Sequence, residues 1–141
     1  MTSVRYMLDT NIVSALIRRP DGSTKSRLLS VGEESVCVSA IVASELRFGA
    51  VRRKSDRLIS QVEDVLNQML VIDYNDAASI VYADIRAQLE VRGTLIGSND
   101  LFIAAHARSL DLTLVTDNIR EFSRVDGLKL ENWIDREAAD V

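Results

Sequence analysis

The sequence predicts an α/β fold: a single domain over residues 1–141 with a mostly parallel sheet of four or five strands flanked by helices. Short apolar segments alternate with longer segments of helical periodicity, the order expected when a helix crosses the sheet after each strand. The predicted strands are apolar throughout rather than alternating, as in a parallel sheet that is covered on both faces. A chain of 141 residues is long enough for one domain with a full hydrophobic core.

The first half of the chain contains two predicted strands and four predicted helices. They are, in order, a strand at 4–8, helices at 11–18 and 23–31, a strand at 35–39, and helices at 40–52 and 55–69. Pro20 and Gly22 end the first helix, since neither residue continues a helix well. In the last helix, Leu58, Val62 and Leu66 recur every four residues, which predicts one buried face.

The second half repeats the alternation. It contains a strand at 70–72, a helix at 76–92, a glycine-containing loop at 93–99, a helix at 100–110, a strand at 113–116, a loop through 118–122 and a last strand near 128–130. Ala78, Val81, Ile85 and Leu89 lie on one face of the long helix. The strand at 113–116 combines β-branched and apolar residues, as expected inside a sheet.

Charge is unevenly distributed along the chain, although the net charge is only −4. Residues 1–60 carry ten Lys/Arg against six Asp/Glu, whereas residues 61–141 carry seven against fifteen. This asymmetry permits a phosphate-binding face in the basic half. The alternative is a set of ordinary solvated helix faces. Arginines make up fourteen of the seventeen basic residues, which favours phosphate or carboxylate contacts.

The sequence also indicates where the protein works. No apolar run approaches the roughly 20 residues that a membrane span needs, and the N-terminus does not resemble a signal peptide. Cys37 is the single cysteine, so an internal disulfide is impossible, which suits a reducing compartment. We therefore expect a cytoplasmic protein without a membrane association.

Four segments place a polar or acidic residue at the edge of an apolar element. Asp9 closes the first predicted strand, Asp100 begins a helix, and Asp117 and Asn118 follow the strand at 113–116. Glu45 lies in an otherwise apolar helix of small residues, where a carboxylate must face water or have a partner. Ligands of parallel sheets bind outside the carboxyl ends of the strands, so these residues are candidates for one site. Taken singly, each Asp at a helix start is a possible N-cap.

Carboxylates gathered in one pocket would repel each other, and their pKa values would rise unless a cation joined them. Oxygen ligands suit Mg²⁺ or Mn²⁺, whereas Zn²⁺ would call for a Cys/His spacing that this sequence lacks. Such an ion can activate a water for in-line attack on a phosphodiester and stabilise the leaving oxygen. The candidate chemistry is therefore metal-dependent phosphodiester hydrolysis, which leaves a 5′-phosphate and a 3′-hydroxyl.

Other chemistries fit this sequence less well. His106 is the single histidine, which excludes a nuclease built on two histidines, and we expect a helix residue that is packed or solvated. Cys37 lies within a predicted strand and is expected in the core. The sequence has no glycine-rich nucleotide loop, and Asn11 stands where an aspartyl-phosphate enzyme would have the second Asp of Asp-x-Asp.

Read together, the four segments resemble the PIN-domain family and, within it, the VapC toxins of toxin–antitoxin pairs. The likeness runs from Met7 to Trp133. The matching segments are Asp9-Thr10-Asn11-Ile12, Ser39-Ala40-Ile41 with residues 44–49, Gly93 with residues 96–107, and residues 114–118 with 120–122, 127–128 and 131–133. Asp-Thr-Asn alone would be a weak signal, but four motifs in the right order and spacing are a strong one.

The resemblance implies a PIN-like fold in which Asp9, Glu45 and Asp100 bind the metal ion and act in catalysis. It also implies a fourth acidic position at Asp117, with Asn118 as the alternative because the family often has Thr-x-Asp there. The residues expected to support the site are Thr10, Asn11 and Thr116, with Ser39 and Asn11 also being candidates for caps and turns.

The resemblance further implies a Mg²⁺-dependent endoribonuclease, with Mn²⁺ as a substitute, that cleaves RNA such as transfer RNA and inhibits translation. A cognate VapB-type antitoxin would wrap the toxin and place an arginine in the acidic pocket. The toxin would form a homodimer, and its complex with the antitoxin would bind operator DNA. We expect the basic first 60 positions to hold the RNA, the candidate contacts being Arg18, Arg19, Arg47, Arg52, Arg53 and Lys54.

Two other functions stay open at this point. A catalytically weak PIN-like module would bind RNA or protein without cutting it, although the presence of all three core carboxylates argues against that function. A phosphate-receiver domain is also α/β with an acidic Mg²⁺ pocket. That class needs a lysine after a late strand, and Lys129 follows a different strand.

Overall fold

The computed structural model describes residues 3–135, which form a five-stranded sheet with helices on its faces. All strand pairs are parallel, and the strand order is β3-β2-β1-β4-β5. The strands are β1 (Tyr6–Leu8), β2 (Val36–Ser39), β3 (Leu70–Ile72), β4 (Thr113–Val115) and β5 (Lys129–Glu131). The predicted α/β class and parallel sheet are confirmed, and the strand count is five.

Seven α-helices lie within the described residues. They are α1 (Thr10–Arg18), α2 (Ser23–Val31), α3 (Ala40–Arg52), α4 (Asp56–Asn67), α5 (Asp76–Arg92), α6 (Ser98–Ser109) and α7 (Ile119–Phe122), and a short 3₁₀ helix at Glu33–Ser35 precedes β2. None of the helices within residues 3–135 is long and apolar enough to cross a membrane.

The central position of β1 determines where a site can form. Met7 pairs with Cys37 of β2 on one side and with Leu114 of β4 on the other. The chain builds the sheet outward from β1 through β2 and β3, then returns to the opposite side of β1 for β4 and β5. Connections leave β1 and β4 in opposite directions, so a crevice opens at their carboxyl ends, which is where ligands bind in such sheets.

The core explains why the strands are apolar throughout. Met7, Leu8, Cys37 and Leu114 are completely buried, because helices cover both faces of the sheet. Cys37 is therefore a core residue, as predicted. The edge strands are more open, and Leu70 of β3 retains 53% of its exposure.

Two local features differ from the sequence prediction. Residues 119–122 form the short helix α7 where a loop was expected, and α6 begins at Ser98 rather than Asp100. Both differences occur at the carboxyl edge of the sheet. Asn118 and Gly97 are the residues that precede the two helices, and both donate a hydrogen bond to Glu121. The Glu121 carboxylate therefore links the starts of both helices, through a local bond to Asn118 and a tertiary bond to Gly97.

Candidate metal centre

Asp9 follows β1 directly and is the N-cap of α1. Its side chain is buried, with 4% exposure. Oδ1 accepts a hydrogen bond from the Thr10 N–H at 2.8 Å, while Oδ2 accepts from the Thr116 hydroxyl at 2.8 Å and from the Asn11 amide at 3.3 Å. Burial raises the pKa of Asp9, and the negative charge of Glu45 raises it further. The three hydrogen bonds lower the pKa without cancelling this increase.

Glu45 lies in α3 and is half-buried. The Thr10 hydroxyl donates a 2.8 Å hydrogen bond to Glu45 Oε1. Because the Thr10 main chain also binds Asp9, one residue holds two of the predicted carboxylates beside each other. Glu45 is thus partnered inside an apolar helix, as the cost of burying a lone carboxylate requires.

Asp100 stands in the first turn of α6 and is half-buried. Burial raises the pKa of Asp100 to about 7, and the charges of Glu121, Asp9 and Glu45 raise it further in that order of influence. The structure therefore brings Asp9, Glu45 and Asp100 into one electrostatic cluster at the carboxyl edge of the sheet. A fourth carboxylate, Glu121, acts more strongly on Asp100 than either of the other two.

Glu121 is the site residue that sequence reasoning missed. Its Oε1 accepts from the Gly97 N–H at 2.8 Å and its Oε2 accepts from the Asn118 amide. Burial opposes its ionisation, but these hydrogen bonds and a third from Asp100 outweigh burial and lower the pKa of Glu121. The proton shared by the pair therefore rests on Asp100. The available signal was the Asn118-x-x-Glu121 spacing, in which a helix-capping residue is followed by Glu three positions later.

Asp117 occupies a different position from the other predicted carboxylates. Its Oδ1 accepts a 3.0 Å hydrogen bond from the Asn132 amide, and its N–H donates to Asn11 Oδ1 at 3.1 Å. Among the described carboxylates, those that raise the pKa of Asp100 are Glu121, Asp9 and Glu45, so Asp117 is outside that set. The Asn118 amide faces Glu121. The metal-binding role of either residue stays a prediction.

The arrangement fits a hard divalent cation, although it is not a closed ligand shell. Within residues 3–135, no three His, Cys, Asp or Glu side chains are close enough together to complete a metal-ligand set. The Asp100–Glu121 hydrogen bond engages oxygens that a cation would need. All the donors are oxygens, as Mg²⁺ and related ions prefer, and a cation would relieve the repulsion that raises the pKa of Asp100.

The predicted basic residues divide into two groups. Arg47 forms a two-pronged ion pair with Glu63, with both N–O distances 2.9 Å, which ties α3 to α4. Arg18, Arg52 and Arg53 instead line a groove of about 460 Å³. The other lining residues are Thr10, Asn11, Ser14, Ile17, Glu45, Leu46, Gly49, Ala50, Leu58 and Val62. Arg19 and Lys54 are exposed and lie beside this set in sequence.

The fold and the acidic cluster together define an α/β protein with an oxygen-rich site at the carboxyl edge of a parallel sheet. A family model described as PIN domain matches residues 6–128. The chain belongs to the PIN-domain family and, within it, to the VapC proteins. The nucleases of this family act with a divalent metal ion.

Individual relatives support the narrower assignment. Ribonuclease VapC2 of Haemophilus influenzae is 42% identical over 132 residues, which cover 93% of this chain and 99% of that protein. The tRNA(fMet)-specific endonuclease VapC of Shigella flexneri is 37% identical over 131 residues, covering 92% and 98%. The crystal structure of VapBC2 from Rickettsia felis, bound to a promoter DNA fragment, superposes with a TM-score of 0.85 at 36% identity, covering 92% of this chain and 99% of the other.

Proposed function

We propose that this protein is a Mg²⁺-dependent endoribonuclease, with Mn²⁺ as a substitute, that cleaves transfer RNA and acts as the toxin of a VapBC-type pair. The observation that carries the proposal is the meeting of Asp9, Glu45, Asp100 and Glu121 at the sheet's carboxyl edge, where burial and then the charges of the other three carboxylates raise the pKa of Asp100 to about 7. Buried carboxylates that raise one another's pKa values in a crevice mark a candidate functional site, and a cation bound there would offset their repulsion. The family assignment supports the same chemistry.

Asp9, Glu45 and Asp100 are the residues proposed to hold the ion. A bound divalent ion supplies an activated water and stabilises the leaving oxygen of the phosphodiester. The chain's own contribution is to orient the ligand oxygens. Thr10 and Thr116 hold the carboxylates of Glu45 and Asp9 by hydrogen bonds of 2.8 Å, which leaves fewer orientations to be fixed when the ion binds.

The proton on Asp100 is part of the same mechanism. Burial and the charges of Glu121, Asp9 and Glu45 favour the protonated form of Asp100, which hydrogen-bonds with Glu121. A cation held by Asp9, Glu45 and Asp100 would favour the ionised form of Asp100 instead. We propose Glu121 as the residue that positions Asp100, with the Gly97 N–H and the Asn118 amide holding its carboxylate in place.

The groove between α1, α3 and α4 is the proposed path of the RNA backbone. It starts at Thr10, Asn11 and Glu45, and Arg18, Arg52 and Arg53 line it further on. An acidic site repels a polyanion, so positive charge close by must guide the phosphates toward it. Arg47 is left out of this path, because its guanidinium is paired with Glu63.

The substrate and partners are proposed from the relatives. Two relatives are named for their action on tRNA(fMet), and others form VapBC complexes, one bound to a promoter DNA fragment and another bound to DNA. We propose that this chain cleaves transfer RNA in the cytoplasm, is neutralised by a cognate VapB-type antitoxin, forms a homodimer, and binds operator DNA as part of the antitoxin complex. The arginine-lined groove lies next to the acidic cluster, so a segment lying in the groove would reach the site.

Cleavage of transfer RNA by the purified chain tests this proposal. We expect product with Mg²⁺ or Mn²⁺, a 5′-phosphate on the downstream fragment, and complete loss with EDTA. Asp100→Asn should abolish cleavage. Asp111→Asn is the matched control, because Asp111 is exposed and pairs with Lys129 at the amino ends of β4 and β5, opposite the edge that carries the site. RNA binding without cleavage by the wild type would instead establish the binding-module function. Activity that resists EDTA would contradict the metal mechanism.

A further inference from the structure

A buried polar pair lies outside the carboxylate cluster. Ser39 and His106 both have 0% exposure, and Ser39 Oγ is 2.8 Å from His106 Nδ1. The ring of His106 also meets the ring of Tyr74 edge-on, with centroids 5.5 Å apart. The histidine is therefore packed in the interior, and none of the proposed chemistry uses it.

The hydrogen bonds of Ser39 indicate which partner donates in this pair. Ser39 is the N-cap of α3, and its Oγ accepts the Ile41 N–H at 3.1 Å. The hydroxyl proton is then available to donate to His106 Nδ1, which requires a neutral ring with its proton on Nε2. Burial lowers the pKa of His106, which favours this neutral form.

The main chain of Asp73 also interacts with the His106 ring, and this contact raises the pKa of His106 against the larger effect of burial. Nε2 is buried without a hydrogen-bond partner among the described residues. A buried nitrogen without a partner carries a desolvation cost that an apolar side chain of similar volume would avoid. The bond to Ser39 is thus the side-chain hydrogen bond that this histidine makes within the described residues.

The pair joins the two helices that carry proposed metal ligands. Ser39 caps α3, which holds Glu45, and His106 lies in α6, which begins at Ser98 and holds Asp100. We propose that His106 is a positioning residue of the metal site, which through Ser39 sets the separation between Glu45 and Asp100. This inference rests on the proposed metal-dependent function.

The physical requirement behind it is the geometry of the ion. Mg²⁺ needs oxygen ligands at about 2.0–2.1 Å in a nearly regular octahedron, so a small displacement of α3 against α6 weakens binding. Residues that orient ligands without touching the metal commonly change metal affinity by about 10- to 100-fold. Loss of the Ser39–His106 bond should therefore lower metal affinity more than it lowers stability.

Calorimetric titration with Mn²⁺ in the absence of RNA tests the proposal. Asn places its Oδ1 near the position of Nδ1, whereas Gln places its polar atoms near Nε2. We expect His106→Asn to bind Mn²⁺ almost as the wild type does, and His106→Gln and Ser39→Ala to bind on the order of tenfold more weakly. Because the two residues act through one bond, His106→Gln with Ser39→Ala should be no weaker than either single variant.

Ser35 provides a matched control, because it precedes β2 whereas Ser39 is the last residue of that strand. It is a buried serine whose hydroxyl donates to main-chain carbonyls of Val31 and Gly32. Ser35→Ala should lower the melting temperature and leave Mn²⁺ affinity unchanged. If His106→Gln fails to fold, the comparison of Ser39→Ala with Ser35→Ala decides the question.

Three results would overturn the inference. Ser39→Ala could bind Mn²⁺ as tightly as the wild type does, His106→Asn could be as weak as His106→Gln, or the effects of the two substitutions could add in full. In each of these cases the wild type still binds Mn²⁺ and Asp100→Asn does not, so the proposed metal site survives. Absence of Mn²⁺ binding by the wild type would overturn both proposals.

Discussion

Burial and neighbouring negative charge act on the pKa of Asp100 in the same direction. Its burial and the charges of Glu121, Asp9 and Glu45 all favour the protonated form and raise its pKa to about 7. The same residue is a proposed metal ligand, which must be ionised to bind. Protons and metal ions therefore compete for Asp100 near neutral pH, and metal affinity should fall as the pH drops through about 7.

The pH dependence of stability follows from this pKa. An Asp100 that titrates near 7 in the folded protein and at its ordinary value of 3.8 when unfolded stabilises the fold while it is protonated. That contribution is complete below the unfolded pKa and is lost as the pH rises through about 7. We expect the melting temperature in EDTA to fall over this window. Asp100→Asn should flatten the curve and raise the melting temperature at about pH 8 by a few degrees, after allowance for solvent screening.

Thermal unfolding in EDTA from about pH 4 to about pH 8 measures this effect. Asp111→Asn should reproduce the wild-type curve, because Asp111 pairs with Lys129 at the surface. A variant curve for Asp100→Asn that runs parallel to the wild type would show that Asp100 does not titrate in this range.

Two residues, Glu121 and Asp117, are candidates for the fourth acidic position of the site. Glu121 hydrogen-bonds within the cluster, whereas the Asp117 carboxylate binds Asn132. Cleavage rates of Glu121→Gln, Asp117→Ala and Asn118→Ala should be compared over a series of Mg²⁺ concentrations. We expect Glu121→Gln to lose at least tenfold in rate at low Mg²⁺ and to recover in part at high Mg²⁺, with Asp117→Ala losing less. The reverse order would favour Asp117 as the ligand, as the sequence predicted.

At the start of α6, the backbone of Gly97 passes close to the carboxylates of Asp100 and Glu121. A Cβ on Gly97 would lie 3.3 Å from Asp100 Oδ2 and 3.8 Å from Glu121 Oε1. In α3, a Cβ on Gly49 would meet nothing within 4 Å. Gly97→Ala should reduce cleavage about tenfold by displacing Asp100, with little change in stability. Gly49→Ala should raise the free energy of unfolding by about 0.5–1 kcal/mol, because alanine favours a helix interior.

Chemical denaturation and single-turnover cleavage of both glycine variants provide the measurements. Unchanged cleavage by Gly97→Ala would mean that the Asp100 carboxylate has room to move without loss of function.

The helices α1, α3 and α4 surround the groove, and the basic residues on them should account for RNA affinity. Alanine substitution of Arg18 and Arg19 together should weaken RNA binding, and so should alanine substitution of Arg52, Arg53 and Lys54 together. The slope of log affinity against log salt should fall by about 0.7 for each phosphate that the variant no longer neutralises. Cleavage of bound RNA should stay nearly normal. The control is the double variant Arg86→Ala, Arg92→Ala. Arg86 pairs with Glu90 within α5, and Arg92, the last residue of α5, pairs with Asp126.

Filter binding at several salt concentrations measures that slope. If both cluster variants keep the wild-type slope, the basic half of the chain faces solvent or the antitoxin, which was the alternative at the level of sequence.

The whole molecule should respond to metal as a folded unit. A cation that binds only the folded state stabilises it by about 2.7 kcal/mol at one hundred times its dissociation constant, so Mn²⁺ should raise the melting temperature by several degrees. Asp100→Asn should lose this gain, and Asp111→Asn should retain it. Equal melting temperatures for the wild type in Mn²⁺ and EDTA would contradict a metal site in the described fold.

Much of this protein was determined by sequence alone. Continuous apolar strands alternating with helical segments indicate a parallel sheet whatever the details of packing, because both faces of such a sheet must be covered. Asp9 follows a strand and Glu45 stands in an apolar helix, and these local contexts already marked them as candidates. The order of the four motifs was enough to identify the family.

Only the tertiary structure decided how the side chains meet. Glu121 enters the cluster because α7 and the start of α6 come together there, and residues 24 positions apart share a hydrogen bond. Arg47 is engaged by Glu63 across two helices, and His106 meets Ser39 at a separation of 67 residues. Strand and helix patterns depend on neighbours along the chain, whereas these contacts depend on how elements pack, and a sequence pattern carries no distance between them.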